Sequence, residues 1–73
     1  MKSDETILKI GHLIKFARKK KGLTQDELVE ISGISKSTVA KTEQGMANPS
    51  FLSIYKICKI LDIDMGVFNN FQL

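Results

Sequence analysis

The chain has 73 residues, which is enough for one domain but not for two separate hydrophobic cores. Its hydrophobic content of 42% and charged content of 26% are typical of a globular protein and argue against a disordered chain. The single cysteine, Cys58, excludes an intrachain disulfide and a cysteine-based metal site, and its apolar neighbours predict that it is buried. No apolar run approaches the length of a membrane span and no secretion signal is evident, so we expect a cytoplasmic protein without a membrane partner.

The net charge of +3 is unevenly distributed along the chain. Residues 1–21 contain seven lysines and arginines against two acids, whereas residues 22–45 contain two lysines against four acids. A basic segment of this kind suits a polyanionic partner. The basic run at 18–21 also fits the last turn of a helix, where cations complement the negative end of the helix dipole.

Two amphipathic helices are predicted in the first half of the chain. Apolar residues at three- and four-residue spacing begin after Thr6 and stop before Gly22, so we expect residues 1–6 to form a disordered tail. Thr24 and Glu27 have the spacing of a capping box, and Gly33 can end the helix that they start. The apolar residues expected on the two helices are Ile7, Ile10, Ile14, Ala17, Leu28, Val29 and Ile31.

Two further helices are predicted in the second half. Ser35 is the expected N-cap of a polar helix over residues 36–44, which Gly45 closes. Because this helix contains few apolar residues, we expect it to bury one narrow stripe and to present its other side outward. Pro49 and Ser50 are well placed to start a fourth helix. The residues expected on its buried face are Phe51, Ile54, Ile57, Cys58 and Leu61.

The C-terminal segment has two interpretations. Ile63, Met65 and Val67 alternate with aspartate and glycine, which favours a short strand. A fifth helix capped by Asp64 is equally compatible with the pattern, although Gly66 would weaken it by about 1 kcal/mol. The predicted fold is therefore all-α with four or five helices, with a short strand as the alternative at the C-terminus.

Fixed offsets in the middle of the chain point to a helix-turn-helix. Val29, Gly33 and Val39 lie four and six residues apart, which suits a residue under the turn, the turn glycine, and an apolar residue locking the second helix onto the first. Two helices joined by a glycine-containing turn also occur in helical bundles that bind only protein.

Several short motifs surround these offsets: Thr-Gln-Asp-Glu-Leu at 24–28, Gly-Ile-Ser at 33–35, Glu-Gln-Gly at 43–45, Pro-Ser at 49–50 and Ile-Cys-Lys-Ile-Leu at 57–61. Together they resemble the Cro/C1-type (XRE) helix-turn-helix family of bacterial and phage repressors. The resemblance implies a lambda-repressor-like DNA-binding domain over residues 7–68, followed by a C-terminal tail at 69–73.

The resemblance makes the helix over residues 36–44 the recognition helix, with its N-terminal end in the major groove. It implies base contacts from Lys36, Ser37, Thr38 and Lys41. The chemistry of these residues agrees, because lysine can donate to O6 and N7 of guanine and serine can pair with either base type. Thr38 could instead contact a phosphate or a thymine methyl group.

The resemblance also implies contacts outside the recognition helix. Gln25 matches a glutamine that contacts phosphate at the start of the second helix and braces the recognition helix. Arg18 and Glu43 match an ion pair that joins the first and third helices and has a structural role. The further phosphate candidates are Lys15, Gln44 and Asn48.

A transcriptional repressor that binds double-stranded DNA as a homodimer is the function that the resemblance implies, with a nucleoid-associated location. The alternative is an antitoxin that binds a cognate toxin protein and represses its own operon. The sequence contains no catalytic or metal-binding constellation, so we expect no enzyme, no cofactor and no metal.

The surface for a second subunit or another protein is expected on the first helix and the C-terminal segment. Leu13 and Phe16 are apolar at positions that the family more often leaves polar, and they lie three positions apart on one helix. Thr42 also departs from the family, which usually has a larger apolar residue there. The residues predicted for the dimer or partner surface are Leu13, Phe16, Met65, Val67, Phe68 and Phe71.

Overall fold

The computed structural model describes residues 2–64 and 66, and this part of the chain forms four α-helices. The helices are α1 (Lys2–Lys20), α2 (Gln25–Ser32), α3 (Lys36–Glu43) and α4 (Phe51–Leu61). The all-α fold class is thereby confirmed. Met65 and residues 67–73 lie outside the described residues, and with them most of the segment predicted as a strand or a fifth helix.

The ends of α2 follow from local chemistry. The Thr24 hydroxyl accepts from the Glu27 amide at 3.0 Å, and the Glu27 carboxylate accepts from the Thr24 amide at 2.8 Å, which completes the capping box. At the other end Gly33 takes the left-handed conformation with φ of 73°, and its amide donates to the Val29 carbonyl at 2.8 Å. Ser35 then caps α3 by accepting from the Thr38 amide at 3.1 Å. The predicted helix-turn-helix is therefore present.

The first helix begins earlier than the sequence indicated. It starts at Lys2, so the expectation of a disordered tail over residues 1–6 was wrong for residues 2–6. The reason is tertiary packing: the Thr6 side chain is buried, and Ile7 lines a small cavity together with Pro49 and Ile54. Contacts with residues more than forty positions away are not visible in local periodicity.

The core lies where the four helices meet. It is formed by buried residues from every helix and from the turn between α2 and α3, and α1 packs against both α3 and α4. Burying these side chains is the main favourable term in the stability of so small a domain. The buried residues of the cluster are Ile14, Leu28, Ile34, Val39, Ile57 and Leu61.

Two residues expected on buried faces are exposed instead. Phe51 is 72% exposed and Ile31 is 58% exposed. Phe51 is the first residue of α4, and its ring stacks on the outward-facing Tyr55 one turn later with 6.3 Å between the ring centroids. Within the described residues, no helix has both the length and the apolar character needed to cross a membrane.

Candidate nucleic-acid interface

The outer side of α3 is a polar surface. Val39, Thr42 and Glu43 point inward and are buried, so the opposite side of the helix faces solvent. Ser37 and Lys41 lie four residues apart on that side and are both exposed. Gln44, which caps the helix, continues the same stripe after two turns, about 10 Å along the axis from Ser37. Two of the predicted base-contacting residues therefore share one accessible face with a residue predicted to contact phosphate.

The N-terminal end of α3 is arranged differently. Lys36 is exposed, but its Nζ donates to Oδ1 of Asp26 on α2 at 2.6 Å. Thr38 is partly buried, and its hydroxyl oxygen accepts from the Ser35 hydroxyl at 2.9 Å. The two polar groups at this end are thus engaged within the protein, one with the neighbouring helix and one with the helix cap.

A buried ion pair fixes α3 against α1. Arg18 is 7% exposed and Glu43 is 3% exposed. Nε of Arg18 donates to Oε2 of Glu43 at 2.6 Å, and Nη2 donates to Oε1 at 3.0 Å, so the guanidinium group binds the carboxylate in a bidentate manner. Nη1 of Arg18 also donates to the carbonyl oxygen of Leu23 at 2.7 Å, which ties the turn between α1 and α2 into the same network.

The network extends to the start of α2. Nε2 of Gln25 donates to Oε1 of Glu43 at 3.0 Å, so the Glu43 carboxylate accepts from two side chains on two other elements. Its charge is therefore compensated and its oxygens are hydrogen-bonded, as a buried carboxylate requires. The structure brings Gln25, Arg18 and Glu43 together, and this contact fixes the direction in which α3 presents its outer side.

The other predicted residues are spread over the surface. Lys15 on α1 and Asn48 in the connection between α3 and α4 are both exposed, as is Gln44. Leu13 and Phe16 line a surface groove of about 510 Å³ together with Leu61 and Ile63, and Phe16 is 67% exposed. The remaining residues predicted for the partner surface lie outside the described part of the chain: Met65, Val67, Phe68 and Phe71.

Sequence reasoning missed the role of Asp26. No function was predicted for this residue, yet its carboxylate binds the first residue of α3. Asp26 and Lys36 are ten positions apart on two different helices, and their pairing depends on the angle between those helices. No periodicity in the sequence could have indicated it.

Other chemical groups in the described residues are few. Cys58 lies on the buried side of α4, and burial raises the pKa of its thiol. Among residues 5–64, no group of three or more His, Cys, Asp or Glu side chains could hold a metal ion. The exposed side chains of α3 itself carry ammonium and hydroxyl groups, which are groups that contact phosphates and base edges.

Comparison with known proteins identifies several relatives. A sequence model described as helix-turn-helix matches residues 14–68. The chain is 37% identical over 57 residues to the HTH-type transcriptional regulator SlrR of Bacillus subtilis, in a match covering 77% of this chain and 38% of SlrR. It is 36% identical over 62 residues to the HTH-type transcriptional regulator SinR of Bacillus licheniformis, covering 84% of this chain and 56% of SinR.

A phage protein is similar as well. The ImmF control region 10 kDa protein of Bacillus phage phi105 is 34% identical over 59 residues, which cover 81% of this chain and 66% of the phage protein. Of the two Bacillus regulators described above, SlrR and SinR, the chain spans well under two thirds of the length.

Proposed function

The chain belongs to the Cro/C1-type (XRE) helix-turn-helix family of DNA-binding transcriptional regulators, and we propose that it is a repressor that binds a palindromic operator as a homodimer. The observation that carries this proposal is the exposed polar side of α3, held in one orientation by the buried contact between Arg18 and Glu43. A helix that is rigid at its base and polar outside is suited to the major groove.

Base readout is assigned to α3, from Lys36 to Lys41. Lys36 and Lys41 are proposed to donate to O6 and N7 of guanine, while the Ser37 hydroxyl can pair with either base type. Thr38 is assigned to the same surface; its hydroxyl oxygen accepts from Ser35, so its O–H can still donate to DNA and its methyl group can contact thymine. Among these residues, Lys41 and Ser37 are the strongest candidates for base contact, because their side chains are exposed on the outer side of the helix.

Phosphate contacts are proposed around this surface. Gln25 stands at the N-terminus of α2, where unpaired backbone amides and the helix dipole favour an anion. One N–H of its amide is engaged by Glu43, so the second N–H is the donor available to phosphate. The other proposed phosphate contacts come from exposed residues: Lys15, Gln44 and Asn48.

Dimerisation is proposed because one domain of this size makes few phosphate contacts. Two domains on half-sites about one DNA turn apart double those contacts and match the symmetry of a palindrome. The C-terminal segment, with Leu13 and Phe16, is proposed to supply the second-subunit contact. A location on the nucleoid follows from the proposed partner, and no catalytic step is assigned to the chain.

A second candidate function is favoured by one observation, the groove beside Phe16. An exposed phenylalanine over an apolar groove suits protein binding as well as dimerisation, so the alternative is an antitoxin whose toxin binds there. The purified chain, mixed with the product of any adjacent toxin-like reading frame, would form a stable complex on this alternative. A Phe16→Ala variant would weaken that complex but leave DNA binding by the monomeric domain intact.

Selection of duplexes from a random pool tests the leading proposal. We expect a palindromic consensus with half-sites about ten base pairs apart. Lys41→Ala should reduce affinity for that consensus by roughly ten- to a hundredfold and relax the preference at one position per half-site. Lys56→Ala is the matched control, because Lys56 is an exposed lysine of α4 and lies outside the proposed interface. Equal effects of the two substitutions, or an enrichment without any consensus, would contradict sequence-specific binding.

A further inference from the structure

The contact between Asp26 and Lys36 has a consequence for specificity. We propose that Asp26 is a positioning residue that restrains Lys36, so that this lysine selects bases instead of attracting any nearby phosphate; the inference rests on the proposed binding of DNA. Asp26 makes no base contact itself in this proposal. It acts through Lys36 and lowers the affinity of the domain for DNA of unrelated sequence.

The geometry supports a directed interaction between the two side chains. Lys36 is the first residue of α3, and Asp26 lies in the first turn of α2, where helix amides stabilise a carboxylate. Nζ of Lys36 and Oδ1 of Asp26 are 2.6 Å apart, which is a short charge-assisted hydrogen bond. The contact therefore directs the flexible lysine toward α2 and limits the positions that its ammonium group can occupy.

The pair is also exposed enough for DNA to alter it. The side chains of Lys36 and Asp26 are 56% and 76% exposed. Ion pairs at such sites are weak and are screened by salt, so an approaching base edge or phosphate competes with Asp26 for the lysine. A phosphate is charged and a guanine edge is not, so the compensating charge of Asp26 weakens the attraction of Lys36 to phosphate more than it weakens a hydrogen bond to O6 or N7 of guanine. Asp26 therefore lowers the affinity of Lys36 for phosphate more than its affinity for the correct base.

The position of Asp26 explains why its charge matters. It follows Gln25, which we assign to phosphate, so its carboxylate belongs to the same first turn of α2. The pair that Asp26 forms with Lys36 is neutral overall. Replacing Asp26 by asparagine leaves the positive charge of Lys36 uncompensated and frees this lysine to contact phosphate. Both changes strengthen binding to any sequence.

A second acid on α2 provides a matched control. Glu27 is committed to the capping box and cannot be changed without weakening the helix end. Glu30 is exposed, lies on the same helix, and forms no ion pair within the described part of the chain. Glu30→Gln therefore alters the net charge by the same amount as Asp26→Asn but leaves Lys36 restrained.

The experiment compares four variants with the unaltered chain. Asp26→Asn, Glu30→Gln, Lys36→Met and the double variant Asp26→Asn with Lys36→Met are measured on the selected duplex and on a scrambled duplex over a range of salt concentrations. We expect Asp26→Asn to bind the scrambled duplex several-fold more tightly and to steepen the slope of log K against log salt by about one for each subunit. The ratio of specific to non-specific affinity should fall. Glu30→Gln should change neither the slope nor the ratio.

The double variant separates restraint of Lys36 from simple charge removal. In the Lys36→Met background, Asp26→Asn should no longer lower the specificity ratio. Equal effects of Asp26→Asn and Glu30→Gln, or an unchanged effect of Asp26→Asn when Lys36 is absent, would overturn the role of Asp26 while leaving DNA binding in place. Failure of the unaltered chain to bind any duplex would overturn both this role and the proposed function. Thermal unfolding of each variant by circular dichroism verifies that the fold is retained.

Discussion

Gly11 of α1 and Thr42 of α3 approach each other so closely that a Cβ atom on Gly11 would lie 2.3 Å from the carbonyl oxygen of Thr42. The next nearest atoms belong to the backbone of Glu43, so no side-chain rotation can make room. The absence of a side chain at Gly11 therefore fixes the distance between the first helix and the proposed recognition helix.

Gly11→Ala should destabilise the domain by about 1–3 kcal/mol, because overpacking against backbone exceeds the gain in helix propensity of about 1 kcal/mol. Urea unfolding followed by circular dichroism measures the change. The displaced α3 should also bind the selected duplex less tightly. His12→Ala, at the exposed neighbouring position, should change stability by less than about 0.5 kcal/mol. A Gly11→Ala protein as stable as the unaltered chain would contradict the close packing of α1 and α3.

Loss of one partner from the buried ion pair should be severe. Glu43→Leu leaves the Arg18 guanidinium without its carboxylate, which costs about 3–5 kcal/mol of stability. The double variant with Arg18→Met replaces both charges by apolar side chains and should recover most of that loss. Asp62→Asn is the control, since it breaks only the exposed ion pair between Lys21 and Asp62, which is worth less than about 1 kcal/mol. Additive effects of the two core substitutions would show that the charges are not coupled.

Thr42 presents the opposite situation. Its hydroxyl is buried and, among the residues that the structure describes, has no hydrogen-bond partner. Thr42→Val keeps the shape and removes the unsatisfied group, so we expect a gain in unfolding free energy of about 1 kcal/mol. The same substitution at Thr24 removes the cap of α2 and should lose about 1 kcal/mol. In parallel urea titrations, the two substitutions should therefore change the unfolding free energy in opposite directions. A destabilised Thr42→Val would mean that the Thr42 hydroxyl has a hydrogen-bond partner.

These residues show which features a sequence can predict. The limits of α2 and α3 follow from Thr24, Gly33 and Ser35, whose caps involve atoms only a few residues apart. Such local hydrogen bonds are encoded in short motifs. The early start of α1 and the exposure of Phe51 depend on how whole helices pack, and local periodicity in the sequence cannot predict that packing.

The candidate site divides in the same way. Ser37 and Lys41 came from the family resemblance, whereas the scarcity of apolar residues predicted only that one side of α3 faces outward. The contact of Arg18 with Glu43 came only from family resemblance, because the two residues are 25 positions apart. Asp26 was missed by both approaches, since neither a motif nor the family pattern links it to Lys36.

The Cys58 thiol should be unreactive in the folded protein. Burial raises its pKa, so the thiolate that attacks alkylating reagents is scarce at neutral pH. Iodoacetamide should modify the native chain far more slowly than the chain in concentrated urea, with mass spectrometry as the readout. Comparable rates in the two conditions would contradict the burial.

The same shift predicts how stability depends on pH. The raised pKa keeps the folded thiol protonated where the unfolded thiol has already lost its proton. The contribution of Cys58 is therefore complete below the ordinary pKa of a thiol and falls as pH rises through that value toward the folded-state pKa. Urea midpoints measured at increasing alkaline pH should decline, and Cys58→Ala should show a smaller decline.

Removal of the C-terminal segment should abolish dimerisation. The cut belongs after Asp64, because Ile63 packs against the core and its amide donates to the Cys58 carbonyl at 2.9 Å. The shortened chain should sediment as a monomer and bind the palindromic duplex roughly a hundredfold more weakly, as expected when two linked half-site contacts become independent.

Two phenylalanine variants test whether the groove on α1 takes part in the same contact. Phe16→Ala should weaken the dimer without lowering stability, since the ring is exposed and lines the groove. Phe51→Ala removes an equally exposed ring from α4 and should leave the dimer unchanged. If the chain ending at Asp64 still sediments as a dimer while Phe51→Ala does not, the second subunit binds at α4, and the assignment of the contact to Leu13, Phe16 and the C-terminal segment is wrong.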